Sequence, residues 1–394
     1  MSPDTAVDVL TSSLSKTTSS LASARLSLAL AEVEARRGSW RAAADAAGVA
    51  AEAAGRDLGV LPAPSVLAAA WDARVRACLI AGWDEEAVAF MSSVDAAAAV
   101  GGDPPSIIKT AAAGLGALVA HVGGDQARAS GAAAALGGLD EATRASLAQE
   151  DYQLHDPDIA LAASWAAVRA GAVWASCGGT SSSSPWFPIA ARTAAASTAA
   201  ADLSTCPTGP LARADLAASV GAGLAQLALR AGDCPGAEDE AAASLGAADG
   251  AGSPAAAAAA PLLLLGDTFA RRAQLTVAEG LYKRAAQGAG LVEPTGGTGG
   301  KLWAAPGGRA PAVHPSLASA VAWRLAQLLT LAPRRSTEAD QWAGVAVRAG
   351  GLGPDAAALT AALGPLHGLK GGLVASMGAP WVDVATRRVL PRLE

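Results

Sequence analysis

Residues 262–288, LLLLGDTFARRAQLTVAEGLYKRAAQG, restrict what this chain can fold into more than any other stretch. Leu262, Leu265, Gly266 and Phe269 recur at i, i+3, i+4 and i+7, the period of one helix face. After a break over 272–276, Ala278, Leu281, Tyr282 and Ala285 repeat the pattern on a second helix. Small residues at Gly266 and Ala278 let two helix backbones approach closely, and Phe269 and Tyr282 fill the space on either side. The expectation is an antiparallel helix pair closed through a small-residue seam.

The same plan recurs along the chain. Residues 21–54 carry Leu26, Leu30 and Val33 on one helix, a turn at Gly38 and Ser39, and Trp40, Ala43, Ala47 and Ala50 on the next. In 65–100, Trp71 precedes Ala87 by sixteen residues, the interval that separates Leu262 from Ala278. A third unit, 106–139, turns at Gly123-Gly124-Asp125 and crosses at Ala129; a fourth, 158–203, is stretched by the Ser-rich stretch 178–188. A fifth, 210–248, turns at Gly232-Asp233 and crosses at Ala237. The seventh, 314–350, begins HPSLA and reaches Ala339 with about one inserted residue, and an imperfect eighth covers 355–393.

The order of large, small and aromatic positions, L-x2-LG-x2-F…A-x3-Y at 262–282, resembles the tetratricopeptide repeat (TPR), with Leu262 in place of the family's Trp. Trp71 occupies that Trp position in the second unit, and Gly82-Trp83-Asp84-Glu85-Glu86-Ala87 resembles the family's turn. HPSLA and AEGLYKRA resemble the kinesin-light-chain style of TPR. The resemblance spans about residues 21–350 and implies an all-α, right-handed α-solenoid of about seven or eight antiparallel helix pairs. Successive crossing alanines, Ala43, Ala87, Ala129, Ala237, Ala278 and Ala339, stand 44, 42, 108, 41 and 61 residues apart. A strict period is about 34, so these units are longer than the consensus.

Domain organisation follows: 1–20 as a loosely ordered lead-in or frayed helix, 21–350 as the repeat array, and 351–394 as capping helices. Residues 292–315, rich in Gly and Pro, form the longest expected loop. Ala dominates, hydrophobic residues make up 52% and aromatics 4%, a helix-forming composition with almost no strand-forming segment. Trp40, Trp71, Trp165, Trp174, Trp323 and Trp342 fall in expected helices and should carry much of the packing. A net charge of −6 argues against nucleic acid. Cys78, Cys177, Cys206 and Cys234 show no C-x-x-C pair, which fits an intracellular compartment, cytoplasm or organelle interior. The charge-free run 250–266 is too short and Pro-broken to span a membrane.

Motifs that would carry chemistry fail on inspection. In 296–301, GGTGGK, Thr295 stands where a phosphate loop needs its first Gly, and Leu302 replaces the Ser or Thr. His121, His155, His314 and His367 lie far apart with no ligand-spaced partner. The acidic cluster Asp140, Glu141, Glu150, Asp151, Asp156 and Asp158 lacks a D-D-x-x-D arrangement. The expectation is a non-enzymatic scaffold, adaptor or assembly subunit with no cofactor, binding protein partners through an extended or helical segment. An organellar RNA-binding repeat protein and an all-α enzyme are the alternatives.

What the resemblance implies about the binding surface is specific. In a TPR superhelix the first helix of each pair lines the concave face. That places Arg25, Glu32, Arg36, Asp72, Arg76, His121, Gln226, Arg230, Asp267, Arg271, Trp323 and Gln327 towards a groove. Arg25, Arg36, Arg76, Arg230 and Arg271 are the expected guanidinium ladder for carboxylates or main-chain carbonyls, with Trp323 and Gln327 completing it. The family's chaperone-tail clamp needs asparagines, and this chain has none.

Overall fold

A left-handed residue followed five positions later by a buried alanine marks six helix turns among the described residues. In the computed structural model, Gly38, Gly82, Gly124, Gly232, Ala273 and Arg334 have positive φ. Ala43, Ala87, Ala129, Ala237, Ala278 and Ala339 follow, all at most 2% exposed. At the first five turns the left-handed residue and its successor hydrogen-bond back to the last carbonyls of the first helix, as in Gly82 N to Leu79 O and Trp83 N to Cys78 O. These bonds satisfy carbonyls that a helix end otherwise leaves orphaned. The structure describes residues 2–59, 63–100, 106–125, 127–129, 131, 165, 167–169, 171–173, 209–250, 255–291, 313–353, 355–367 and 381–390.

The chain is mostly helical and divides into two compact units, 1–220 and 221–394. The first holds α1 (Pro3–Leu14), α2 (Ser20–Arg37), α3 (Trp40–Gly55), α4 (Ala63–Ala81), α5 (Asp84–Val100) and α6 (Ser106–Val122). The lead-in is thus a helix, α1, but one with no buried residue. Helix α2 pairs with α3, α3 packs on α4, and α6 lies against α4 and α5. Helix α7 (Gly209–Ala231) contributes to both units, with the division falling at 220.

In the second unit, α8 (Cys234–Gly250) follows α7. A methyl on Gly221 would come within 2.9 Å of the Glu240 carbonyl, so only hydrogen fits there. Helices α9 (Ala255–Arg271) and α10 (Leu275–Gly288) form the next pair, and α11 (Pro315–Leu329) and α12 (Ser336–Ala349) the last. The seam expected at Gly266 is present: a Cβ there would lie 2.3 Å from Tyr282 Cε1. Trp40, Trp71, Trp165, Trp323 and Trp342 are all buried; Trp174 lies outside the described residues. So do the fourth expected pair, apart from parts of 165–173, and loop residues 292–312.

The expectation of capping helices throughout 351–394 is corrected. Only α13 (Ala356–Leu363) is helical among the described residues there. Strands β1 (Trp381–Asp383) and β2 (Arg388–Leu390) form an antiparallel hairpin in which Trp381 faces Leu390 and Val382 faces Val389. Branched residues at Val382, Val384 and Val389 favour strand. The Thr386 hydroxyl donates to the Asp383 carboxylate across the turn, and Arg387 takes a left-handed φ of 51°.

Two of the helix turns use a side-chain-bearing residue where four use glycine. Left-handed backbone costs such a residue about 1–2 kcal/mol. Ala273→Gly and Arg334→Gly should each raise the unfolding free energy read from urea titration by about 0.5–1 kcal/mol, after the added unfolded-state entropy of glycine. Gly82→Ala should lower it by about 1 kcal/mol. A fall in midpoint for Ala273→Gly would show that the turn is not left-handed.

Candidate functional site

Polar residues recur at one position of the first helices. Glu32, Arg76, Gln226 and Asp267 each stand eleven residues before a crossing alanine, and Gln327 stands twelve before Ala339, across the inserted residue. All five are buried, at 0–8% exposure. Buried polar groups need partners, and the two units supply them differently.

In the first unit the partners are charges. Arg76 Nη2 donates to Glu32 and Nη1 lies 3.3 Å from Asp215 Oδ2 on α7, while Arg36 Nη2 lies 3.7 Å from Asp215 Oδ1. Arg169 Nε donates to Asp72 Oδ1 at 2.8 Å, and the Trp165 ring stacks near both Arg169 and Arg76. Burial pushes the Glu32 carboxyl above its ordinary range, with Arg76 opposing it. Burial also works against the Arg76 charge, but Glu32 and Asp215 outweigh that and keep it ionised.

In the second unit Asp267 is met by the side chains of Tyr282 and Arg324, while Gln226 and Gln327 bond main-chain atoms of residues 363–365 and 382. Gln226 grips Val382 twice: Nε2 donates to the Val382 carbonyl at 3.0 Å and Oε1 accepts from its N–H at 2.7 Å. Trp323 Nε1 donates to Gly364 O at 3.0 Å, and Arg324 Nη1 donates to Leu363 O at 2.9 Å. Gln327 Nε2 lies within 2.9–3.2 Å of the carbonyls of Leu363, Gly364 and Pro365. The hairpin is tied to the start of α11 as well. Ser316 Oγ accepts from Val389 N at 3.0 Å, and His314 N donates to Arg387 O at 3.0 Å. His314 caps α11 through Nδ1, which accepts from Ser316 N at 3.2 Å. Burial and the neighbouring Arg388 charge lower its pKa from about 6.5 to about 3.

A small cleft that opens to solvent lies inside this unit. Gln226, Arg230, Asp267, Arg271 and Arg324 supply its polar walls, and Leu229, Leu263, Leu264, Ala320, Leu363, Val382 and Val389 its apolar ones. The side chains leave room in its depth for about one or two waters. Asp267 Oδ1 accepts from the Tyr282 hydroxyl at 2.6 Å and lies 3.6 Å from Arg324 Nε. Burial and that carboxylate raise the Tyr282 pKa, so the phenol stays protonated and donating. Arg271 Nη1 donates to the Leu229 carbonyl, and the Arg230 guanidinium lies 5.2 Å from the Trp381 ring centre.

Arg230 and Arg271 meet in the cleft of the second unit, while Arg25, Arg36 and Arg76 belong to the first. Arg25 and Arg36 are half-buried. Arg76, Trp323 and Gln327 are 8%, 1% and 0% exposed and bond within the chain. Sequence reasoning missed Arg324, Asp215 and Arg169. Arg324 sits three residues before Gln327, at i, i+3 spacing on the same face, which was the available signal. Asp215 and Arg169 carried none, because their partners lie 139 and 97 residues away.

No helix among the described residues is long and apolar enough to cross a membrane, and none of them cluster as a three-ligand His, Cys, Asp or Glu metal site. No protein-family model matches the chain, and no curated protein is significantly similar to it.

A histidine held neutral by burial makes folding oppose protonation. Its contribution is complete above the unfolded pKa of about 6.5 and is lost as pH falls towards 3. His314→Ser replaces the capping ring nitrogen with a capping hydroxyl. It should flatten the fall of stability over that window by up to about 1.4 kcal/mol per pH unit. An unchanged acid slope in denaturant titrations would place His314 in water.

Proposed function

We propose that the chain is a non-enzymatic scaffold that holds partner polypeptides on the first-helix faces of its helix pairs, arranged as a TPR-like solenoid. The observation that carries this reading is the way Gln226, Trp323, Arg324 and Gln327 hold non-helical main chain. Main-chain hydrogen bonds recognise an extended segment whatever its side chains, and side-chain pockets add selectivity. In the second unit that capacity is already used on residues 363–366 and 382. Half-buried Arg25, Arg36, Arg230 and Arg271 are the guanidinium groups on these faces that a partner would engage. An intracellular compartment and assembly into a larger complex accompany this reading.

The test is photo-crosslinking with the full chain. Reactive residues placed at Arg25 and Arg230 should label the polypeptides that co-purify with the wild type. An Arg25→Gln/Arg36→Gln/Arg230→Gln variant, folded by circular dichroism, should retain about tenfold less of them. Equal retention, or labelling only from exposed outer positions such as Val49 and Val277, would refute it.

A further inference from the structure

One face of α11 is set with hydrogen-bond donors, and a thin piece of the chain lies across it. Trp323 Nε1, Arg324 Nη1, Gln327 Nε2 and Thr330 Oγ1 donate to the carbonyls of four successive residues, Leu363, Gly364, Pro365 and Leu366. Arg324 Nη1 also donates to Gln327 Oε1 at 2.9 Å, which turns the amide so that its Nε2 faces those carbonyls. Gln327 is thus oriented from within α11, independently of the segment it holds. That segment is lightly attached. Helix α13 has eight residues, too few to be stable alone, and only Leu359 and Leu363 of them are buried against α11 and α12. Beyond it Pro365 is exposed, and Gly364 and Leu366 are half-buried. An element with so few buried side chains opens at a lower free energy than the helices beneath it.

We propose, resting on the scaffold reading above, that residues 355–366 are an internal latch on a peptide-binding face of α11. A partner segment of the same pattern displaces it: a short helix with leucines four apart that stops at a glycine and runs on with its carbonyls bared. Leu359 and Leu363 stand at i, i+4, on one side of α13. Gly364 takes a φ of 87°, which a side chain would strain, so the glycine belongs to the pattern. Pro365 brings no N–H, so the stretch presents acceptors to a face of donors. With the latch in place Trp323 and Gln327 are 1% and 0% exposed, and a partner reaches them only when it lifts.

Two measurements on the full chain test this. In native-state hydrogen exchange, the Leu359 and Gly364 amides are bonded to the carbonyls of Asp355 and Thr360. Corrected for intrinsic rates, they should exchange at least about tenfold faster than α11 amides such as those of Leu325 and Ala326. One common rate for both helices would overturn the proposal, because α13 would then open only with the core. The second measurement is fluorescence anisotropy with a labelled peptide of the sequence 355–367. Leu359→Ala in the chain loosens the latch without altering α11, and it should bind the peptide about tenfold more tightly than the wild type does. A peptide carrying Leu359→Ala and Leu363→Ala should bind neither. Equal affinity of variant and wild type, or no saturable binding to either, would overturn the proposal; if Leu359→Ala does not fold, exchange in the wild type decides. The probe is the chain's own sequence, so the outcome does not depend on any co-purifying partner. Peptide binding without partner labelling keeps the α11 face and removes the wider scaffold, and partner labelling without peptide binding does the reverse.

Discussion

A methyl group is the largest side chain that fits where the two helices of each pair cross. Ala87, Ala129, Ala237, Ala278 and Ala339 are wholly buried, and at Gly221 and Gly266 even a methyl is too large. Close backbones bury little side-chain area, so packing falls to the few large residues between pairs. Trp323 and Trp342 are among the largest fully buried side chains, and the Tyr282 ring fills the space that Gly266 leaves. The left-handed turns follow from the same constraint, because they bring the second helix back at a fixed distance from the first.

Thin, Ala-lined helices also leave polar side chains inside. Two solutions coexist in one sequence. Charge meets charge around Arg76, where burial and pairing pull the Glu32 carboxyl in opposite directions. Main chain meets amide and indole around Gln226, Trp323 and Gln327. The second solution is electrically neutral and tolerates any side chain on the segment held. The first depends on each partner being present, since a buried ion left alone is strongly destabilising.

Local periodicity made the helix pairs legible. The positions of the crossing alanines, the glycine turns and the Gly266–Tyr282 seam could all be read from spacing alone. The position that carries Glu32, Arg76, Gln226, Asp267 and Gln327 was legible too, as a row on one helix face. What faces that row, Asp267 apart, was not, because it is supplied from 36 to 156 residues away. The hairpin was missed because its short strands, Trp381–Asp383 and Arg388–Leu390, lie in a chain whose composition argues for helix throughout. Nothing in the spacing of Arg230, Arg271 and Arg324 announces a shared cleft, since Arg324 stands outside the register that aligns the other two.

The grip of Gln226 on Val382 spans 156 residues. On the ribosome, where chains grow at about 5–20 residues per second, roughly 8–30 seconds separate the synthesis of those two residues. Through that interval the amide of Gln226 has no Val382 to hold, and until residues 363–366 emerge the same is true of the α11 side chains that hold them. The helix pairs can form in order as they emerge, but the polar interior of the second unit closes last. A nascent chain stalled short of its C-terminus therefore presents a row of unsatisfied main-chain-binding groups, which is the kind of surface that quality-control factors engage.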